Sequence, residues 1–122
     1  MKNSINQTGS GSNGLPVNSI TVYMPGRTLS VLAYDITHLE GEGNYTFVCT
    51  RGGKRYLVSK NLKVVQEMLD ANFLRIHKSY MINPYHVVDR LSDSIQLSCG
   101  KVIPIARRRC RETHETLAEM EC

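Results

Sequence analysis

Apolar and polar residues alternate in short runs from Ser19 to the region around Pro104. A period of two residues is typical of β-strands that bury one face. Gly52 and Gly53 tolerate the positive φ of a tight hairpin turn between two such runs. Because proline cannot donate to a β-ladder, the last strand should lie at a sheet edge or end at Pro104. The predicted strands cover residues 19–24, 29–33, 36–40, 45–50, 55–58, 73–76, 80–82, 85–91, 94–99 and 101–105.

A helical pattern interrupts the strands once and follows them once. Apolar residues at positions 62, 65 and 69 have the i, i+3, i+7 spacing, with Ser59 or Asn61 as the capping residue and Asn72 near the end. A second helix is predicted from Arg107 onward. The predicted fold class is therefore mainly β, with one short internal helix and a C-terminal helix. The alternation alone does not distinguish a sandwich from a barrel.

The length and composition limit the organisation of the chain. A chain of 122 residues suits one domain, and its apolar runs fall short of the ~20 residues needed to cross a bilayer. Residues 1–18 are rich in Gly, Ser and Asn, which predicts a flexible tail before a folded domain over residues 19–122. The tail lacks the apolar centre of a secretory signal. We therefore expect a cytoplasmic protein with no membrane partner.

Positive charge is concentrated in two segments of a chain whose net charge is +4. Basic residues lie between Asp70 and Asp89 without an acid, and segment 101–111 carries five basic residues and no acid. Arginines 107–109 lie where the predicted second helix begins, and cations there oppose the helix dipole at a cost of up to ~1 kcal/mol each. An external phosphate would offset this cost, because arginine can bind it through two hydrogen bonds. A solvated basic face is the alternative for either segment.

The sequence offers little for catalysis or metal binding. Neither the spacing of its four cysteines nor that of its four histidines matches a zinc site, so we expect packing thiols, no metal and no cofactor. It contains no GxSxG, HExxH or paired-carboxylate pattern. The glycines at positions 41 and 43 do not open a helix, which argues against a phosphate-cradling loop. These observations disfavour an enzyme.

One segment carries a specific resemblance to a known family. It reads Phe73-Leu74-Arg75-Ile76-His77-Lys78-Ser79-Tyr80-Met81-Ile82-Asn83. This resembles the Phe-x-Arg-x-His-Arg-Ser-x-x-x-Asn signature of the LytTR DNA-binding domain. Three features precede this segment in the order that the family shows: Glu40, the Gly-Asn-Tyr triplet at 43–45 and the short helix. After the segment, residues 100–107 resemble the family's Gly-x-x-Ile-Pro-Val-Ser-Arg motif. The ordered set makes the resemblance specific over roughly residues 19–117.

The resemblance implies an elongated, multi-sheet antiparallel β fold whose loops enter successive major grooves of DNA. By position it assigns DNA contacts to Asn44 or Tyr45, to Lys78 and to Arg107. Arg107 can bond guanine O6 and N7 together, whereas Lys78 replaces the family's usual arginine and lacks its planar fork. Further candidates, each with an ordinary structural or surface role as the alternative, are Arg75, His77, Arg108, Arg109 and Lys54. Ala106 stands where the family often has serine, which removes a hydroxyl.

The resemblance also implies a sequence-specific transcription regulator that acts on double-stranded DNA. Family members often bind direct-repeat promoter sites as two copies, so a homodimer on DNA is expected. They commonly follow a receiver domain of a two-component response regulator, so this chain is expected to be a stand-alone member or an excised domain. Two alternatives remain at this point: a β-rich binder of RNA or single strands, and a module whose basic surface binds an acidic protein.

Overall fold

A computed structural model of the protein describes residues 18–69 and 73–120, which form ten β-strands and two α-helices. Three short 3-10 turns, at Ala33–Asp35, Pro84–His86 and Arg107–Arg109, connect some of them. The helices are α1 (Leu62–Met68) and α2 (Cys110–Met120). The strands are β1 (Ser19–Met24), β2 (Arg27–Leu32), β3 (Ile36–Glu42), β4 (Tyr45–Thr50), β5 (Arg55–Val58), β6 (Leu74–His77), β7 (Tyr80–Ile82), β8 (Val87–Arg90), β9 (Ser94–Leu97) and β10 (Val102–Pro104).

The strands form three antiparallel sheets. The largest has the order β5-β4-β3-β7-β6, the second has the order β10-β9-β8, and β1 and β2 form a separate hairpin. β3 lies at the centre of the five-stranded sheet, where Leu39 is opposite Val48 of β4 on one side and Met81 of β7 on the other. β10 pairs with β9 and is an edge strand of its sheet, as Pro104 predicted.

Two hydrophobic clusters cover opposite faces of the five-stranded sheet. Met81 belongs to the cluster that includes residues of α1 and of the β1–β2 hairpin. The next residue, Ile82, belongs to the cluster formed with β9, β10 and α2. Because successive residues of a strand point to opposite faces, β7 joins both clusters. Both Met81 and Ile82 are fully buried.

Most of the predicted elements are confirmed, including a mainly β fold with a short internal helix and a C-terminal helix. Of the two proposed caps for α1, Asn61 is the one in place, and its Oδ1 accepts a hydrogen bond from Val64 N at 2.9 Å. Residues 1–17, which include most of the predicted tail, and Asn72 lie outside the described residues. Among the described residues, no helix is long and apolar enough to cross a membrane.

The predicted strand over residues 85–91 is wrong in its first part. Pro84–His86 forms a 3-10 turn, and β8 begins only at Val87. The turn is stabilised at its start because Asn83 Oδ1 accepts a hydrogen bond from Tyr85 N. It is anchored at its end because the buried His86 places Nε2 2.7 Å from the carbonyl oxygen of Tyr34. The apolar pattern could not reveal these polar contacts.

Asn83 links the segment around the Ala33–Asp35 turn to its own 3-10 turn, so its loss should be costly. Its Nδ2 donates to the carbonyl oxygens of Ala33 and Ile36, and its Oδ1 accepts from Tyr85. We expect Asn83→Ala to lower the free energy of unfolding by roughly 2–3 kcal/mol, because half-buried groups lose their partners. Asn61→Ala, which removes only the α1 cap, should lower it by about 1 kcal/mol. Equal losses in urea unfolding would contradict the linking role of Asn83.

Candidate nucleic-acid interface

Two hairpin turns lie at the same end of the five-stranded sheet. The β3–β4 turn contains Gly43 and Asn44, and Gly43 adopts a φ of 61°, a conformation that suits glycine. The β6–β7 turn contains Lys78 and Ser79. Gly41 N donates to the carbonyl oxygen of Ser79 at 2.7 Å, which fastens the second turn beside the first. Asn44 and Lys78 are therefore brought to neighbouring turns.

The β6–β7 turn is braced from inside by Arg75. Its Nε donates to the carbonyl oxygen of His77 at 3.0 Å, and its Nη2 donates to that of Lys78 at 2.6 Å. His77 Nδ1 accepts a hydrogen bond from Ser79 N at 3.1 Å, so in the neutral ring the proton is on Nε2. The Lys78 side chain is exposed. The turn therefore presents an ammonium group and an imidazole N–H on a hydrogen-bonded frame.

A third segment reaches the same region from the C-terminal part of the chain. Ala106 N donates to the carbonyl oxygen of Ile76 at 2.8 Å, which places the residues before α2 beside β6. Arg107 and Arg108 are exposed and Arg109 is half-buried. Burial lowers the pKa of Arg75, and the positive charge of Arg109 lowers it further. We call residues 43–45, 77–79 and 106–109 together the basic end.

The 3-10 turn that leads into α2 has no side-chain cap. Ala106 occupies the N-cap position of the 3-10 turn that leads into the helix, and it has no side-chain oxygen. Within the helix, Arg111 donates from Nε to Glu115 Oε2 at 3.2 Å, an i, i+4 pair. The three arginines at the start of α2 therefore keep the unfavourable placement relative to the helix dipole that the sequence indicated.

Other basic residues are separated from the basic end or neutralised. Lys54 lies in the β4–β5 turn, at the opposite end of the sheet, because β4 runs away from the β3–β4 turn. There Arg51 pairs with Asp35 at 2.9 Å. Lys101 belongs to the basic C-terminal segment, but its Nζ lies 3.2 Å from Glu40 Oε2. Lys54, a lesser candidate from sequence, is thus not brought together with Lys78 and Arg107.

Glu40 forms hydrogen bonds or ion pairs with several basic side chains on one face of the five-stranded sheet. Its Oε1 accepts from Arg55 Nη2 at 2.8 Å, and its Oε2 lies 2.9 Å from His38 Nε2. Burial raises the pKa of Glu40, but hydrogen bonds from His38, Arg55 and Lys101 outweigh this effect and lower that pKa to about 2. Burial also lowers the pKa of His38 and raises that of the neighbouring Cys49 thiol to about 11. This carboxylate therefore neutralises cations that would otherwise add to the basic surface.

Sequence reasoning missed one basic segment at this end. Thr46 pairs with Val58 across β4 and β5, so the chain after β5 returns to the end where β4 begins. Thr46 Oγ1 donates to the carbonyl oxygen of Lys60 at 2.7 Å, and the Lys60 and Lys63 side chains are exposed. Only the strand register could have placed Lys60 beside Thr46, since both lysines lie outside the two basic segments of the sequence.

Comparison with known proteins identifies the family. The family model of the LytTr DNA-binding domain matches residues 26–118. The chain belongs to the LytTR family. LytTR domains are DNA-binding domains of transcription regulators, so the expectation from the motif residues is confirmed at this level.

Two curated relatives and one solved structure are similar to this chain. The heme-containing CO-sensing transcriptional regulators RcoM 1 and RcoM 2 of Paraburkholderia xenovorans (strain LB400) are each 30% identical over 105 residues. The match covers 80% of this chain but only 39% of each relative's length. The LytTr DNA-binding domain of a response regulator from Bacillus cereus has the same fold. Its TM-score is 0.69 at 17% identity, covering 83% of this chain and 96% of that chain.

The two hydrogen bonds from Arg75 to the β6–β7 turn allow us to predict the effect of removing the Arg75 side chain. Arg75→Ala should lower stability by about 1–2 kcal/mol, because two carbonyl groups lose a charged donor. It should weaken DNA binding with little change in the salt dependence of the affinity, because the side chain serves the turn. Lys78→Ala should instead reduce the salt slope by about one. Anisotropy titrations at several salt concentrations measure both, and an equal reduction of the slope in Arg75→Ala would contradict the bracing role.

Proposed function

We propose that this LytTR domain is a sequence-specific, double-stranded DNA-binding transcription regulator whose basic end enters the major groove. The observation that carries the proposal is the convergence of three separate segments on one end of one sheet. Adjacent strands are about 4.8 Å apart, so the β3–β4 and β6–β7 turns are roughly 10 Å apart. Two turns at that spacing can reach the same side of one duplex.

Arg107 is the strongest candidate for reading a base. It is exposed, and the bond between Ala106 and Ile76 holds its backbone against β6. A guanidinium group can donate two hydrogen bonds to guanine O6 and N7, an arrangement that distinguishes guanine from the other bases in the major groove. We therefore assign Arg107 to direct base recognition.

The two hairpin turns supply further candidate contacts to DNA. Asn44 and Tyr45 are exposed at the β3–β4 turn, and Asn44 can hydrogen-bond a base edge or the backbone. Lys78 carries a compact ammonium group, which suits a phosphate or a single base acceptor. His77 can donate its Nε2 proton to a phosphate, because Nδ1 is occupied by Ser79. These four residues position the domain and contribute part of the specificity.

The remaining arginines of the basic end are placed to contact phosphates of the DNA backbone. Arg108 is exposed beside Arg107, and Arg109 lies close to Arg75. A phosphate bound there would relieve the repulsion between these guanidinium groups and the unfavourable charge at the start of α2. We assign Arg108 and Arg109 to phosphate contacts and Arg75 to the support of the β6–β7 turn.

The wider organisation follows from the family. We propose that two copies occupy direct-repeat promoter sites and that dimerisation depends on DNA. We further propose that residues 19–122 act as the DNA-binding domain, that residues 1–18 serve as a linker, and that the domain acts in the cytoplasm without catalytic activity. The chain spans 39% of the length of its curated relatives, which are named as heme-containing CO-sensing transcriptional regulators.

Arg107→Ala tests base reading directly. We expect it to weaken binding to the preferred duplex by ~1–3 kcal/mol and to relax the preference at one position of the site, because a bidentate contact is lost. Lys54→Ala is the matched control at the opposite end of the sheet and should leave both properties unchanged. The preferred duplex comes from selection out of a random pool, and anisotropy titrations measure the affinities. Equal losses on preferred and random duplexes would reassign Arg107 to a phosphate contact.

Competition experiments separate the proposed function from its rivals. Binding to duplex should weaken steeply with salt, because phosphate contacts release counterions. A single-stranded competitor of the same sequence should compete poorly. Preference for single-stranded DNA or RNA, or binding that tolerates Arg107→Ala and favours an acidic protein, would contradict the proposal.

A further inference from the structure

Three side chains with metal-binding atoms meet on one face of the five-stranded sheet. His38 and Cys49 are directly opposite each other in the register of β3 and β4. Glu40 lies two residues beyond His38 on β3 and therefore points to the same face. The candidate ligand atoms of His38, Glu40 and Cys49 all lie within 4.8 Å of one another. The sequence spacing did not reveal this group, because the strand register assembles it.

The contacts around His38 hold its ring against Glu40. The Thr37 hydroxyl donates to the carbonyl oxygen of Cys49 at 3.2 Å, and its oxygen lies 2.9 Å from His38 Nδ1. His38 Nε2 lies 2.9 Å from Oε2 of Glu40, where its proton bonds the carboxylate. A metal ion can take the place of that proton between the two atoms, with the ring proton then on Nδ1 and donated to Thr37 Oγ1.

We propose that His38, Glu40 and Cys49 form a binding site for a borderline transition-metal ion, with Zn²⁺ as the preferred ion. Imidazole, carboxylate and thiolate are all zinc ligands, and three protein ligands leave a fourth position for water. Carboxylate and thiolate together balance the charge of the ion. Binding releases the Cys49 thiol proton to solvent, because only the thiolate is a ligand.

The surrounding contacts are those of an outer coordination shell. Thr37 would hold Nδ1 of His38 and so orient Nε2 toward the ion. Arg55 bonds Oε1 of Glu40 and can keep that bond while Oε2 binds the metal. Zn–N and Zn–O distances of ~2.1 Å place two tetrahedral ligands about 3.4 Å apart, so Nε2 and Oε2 need to separate by about 0.5 Å. Lys101, which contacts Oε2, would compete with the ion.

This site is distinct from the basic end and does not depend on the proposed function. A hard cation such as Mg²⁺ prefers oxygen ligands and should bind weakly here. Cobalt(II) is the informative probe, because it replaces zinc and absorbs light through its thiolate bond. We expect reduced, untagged protein to bind one Co²⁺ with a thiolate charge-transfer band that Zn²⁺ abolishes. Absence of the band in the wild-type protein, or absence of stoichiometric Zn²⁺ binding, would overturn the proposal.

Variants identify the ligands. Cys49→Ser should remove the cobalt band and weaken Zn²⁺ binding by more than about 100-fold, whereas Thr37→Val should weaken it about 10- to 100-fold. Cys110→Ser is the matched control, because that thiol contacts Ser92 on another part of the fold. Circular dichroism checks that each variant is folded, and Glu40→Gln replaces Cys49→Ser in the affinity test if the latter does not fold. Unchanged affinity in the ligand variants, or a band lost in Cys110→Ser, would also overturn the proposal.

Discussion

The register of β3 against its two neighbours places the two hairpin turns that carry Asn44, Tyr45 and Lys78 side by side. Leu39 is opposite both Val48 and Met81, and all three side chains are fully buried. A slip of one residue would turn Leu39 toward the other face and remove it from the core, so burial fixes the pairing. With that register, Gly41 reaches Ser79 and the two hairpin turns lie side by side. Core packing thus determines how the two hairpin turns of the basic end lie relative to each other.

The local partners of the basic residues decide what each can do. Glu40 neutralises Arg55 and Lys101, and Asp35 pairs with Arg51. Lys78 and Arg107 instead extend from turns whose backbone is held by other groups. A net charge of +4 is modest, and it supports DNA binding only because the structure concentrates exposed cations at one end of the sheet. Placement matters more here than the total charge.

The sequence predicted most strands and both helices, because alternation and helical spacing are local properties. It failed where a non-local contact decided the structure, as at His86, whose ring bonds Tyr34 across the fold. The motif residues Lys78 and Arg107 could be named in advance through the family resemblance. The exposed Lys60 and the His38–Cys49 pair could not, because each depends on which strands are neighbours and in what register. The bracing role of Arg75 likewise required the geometry of its turn.

The central claim is that one end of the five-stranded sheet faces DNA. Amide chemical shifts recorded while the preferred duplex is added to isotope-labelled protein test it most directly. The account predicts the largest changes at residues 43–45, 77–79 and 106–109, with residues 25–27 and 51–54 little affected. Changes concentrated at the β4–β5 turn, or spread evenly over both ends of the sheet, would contradict it.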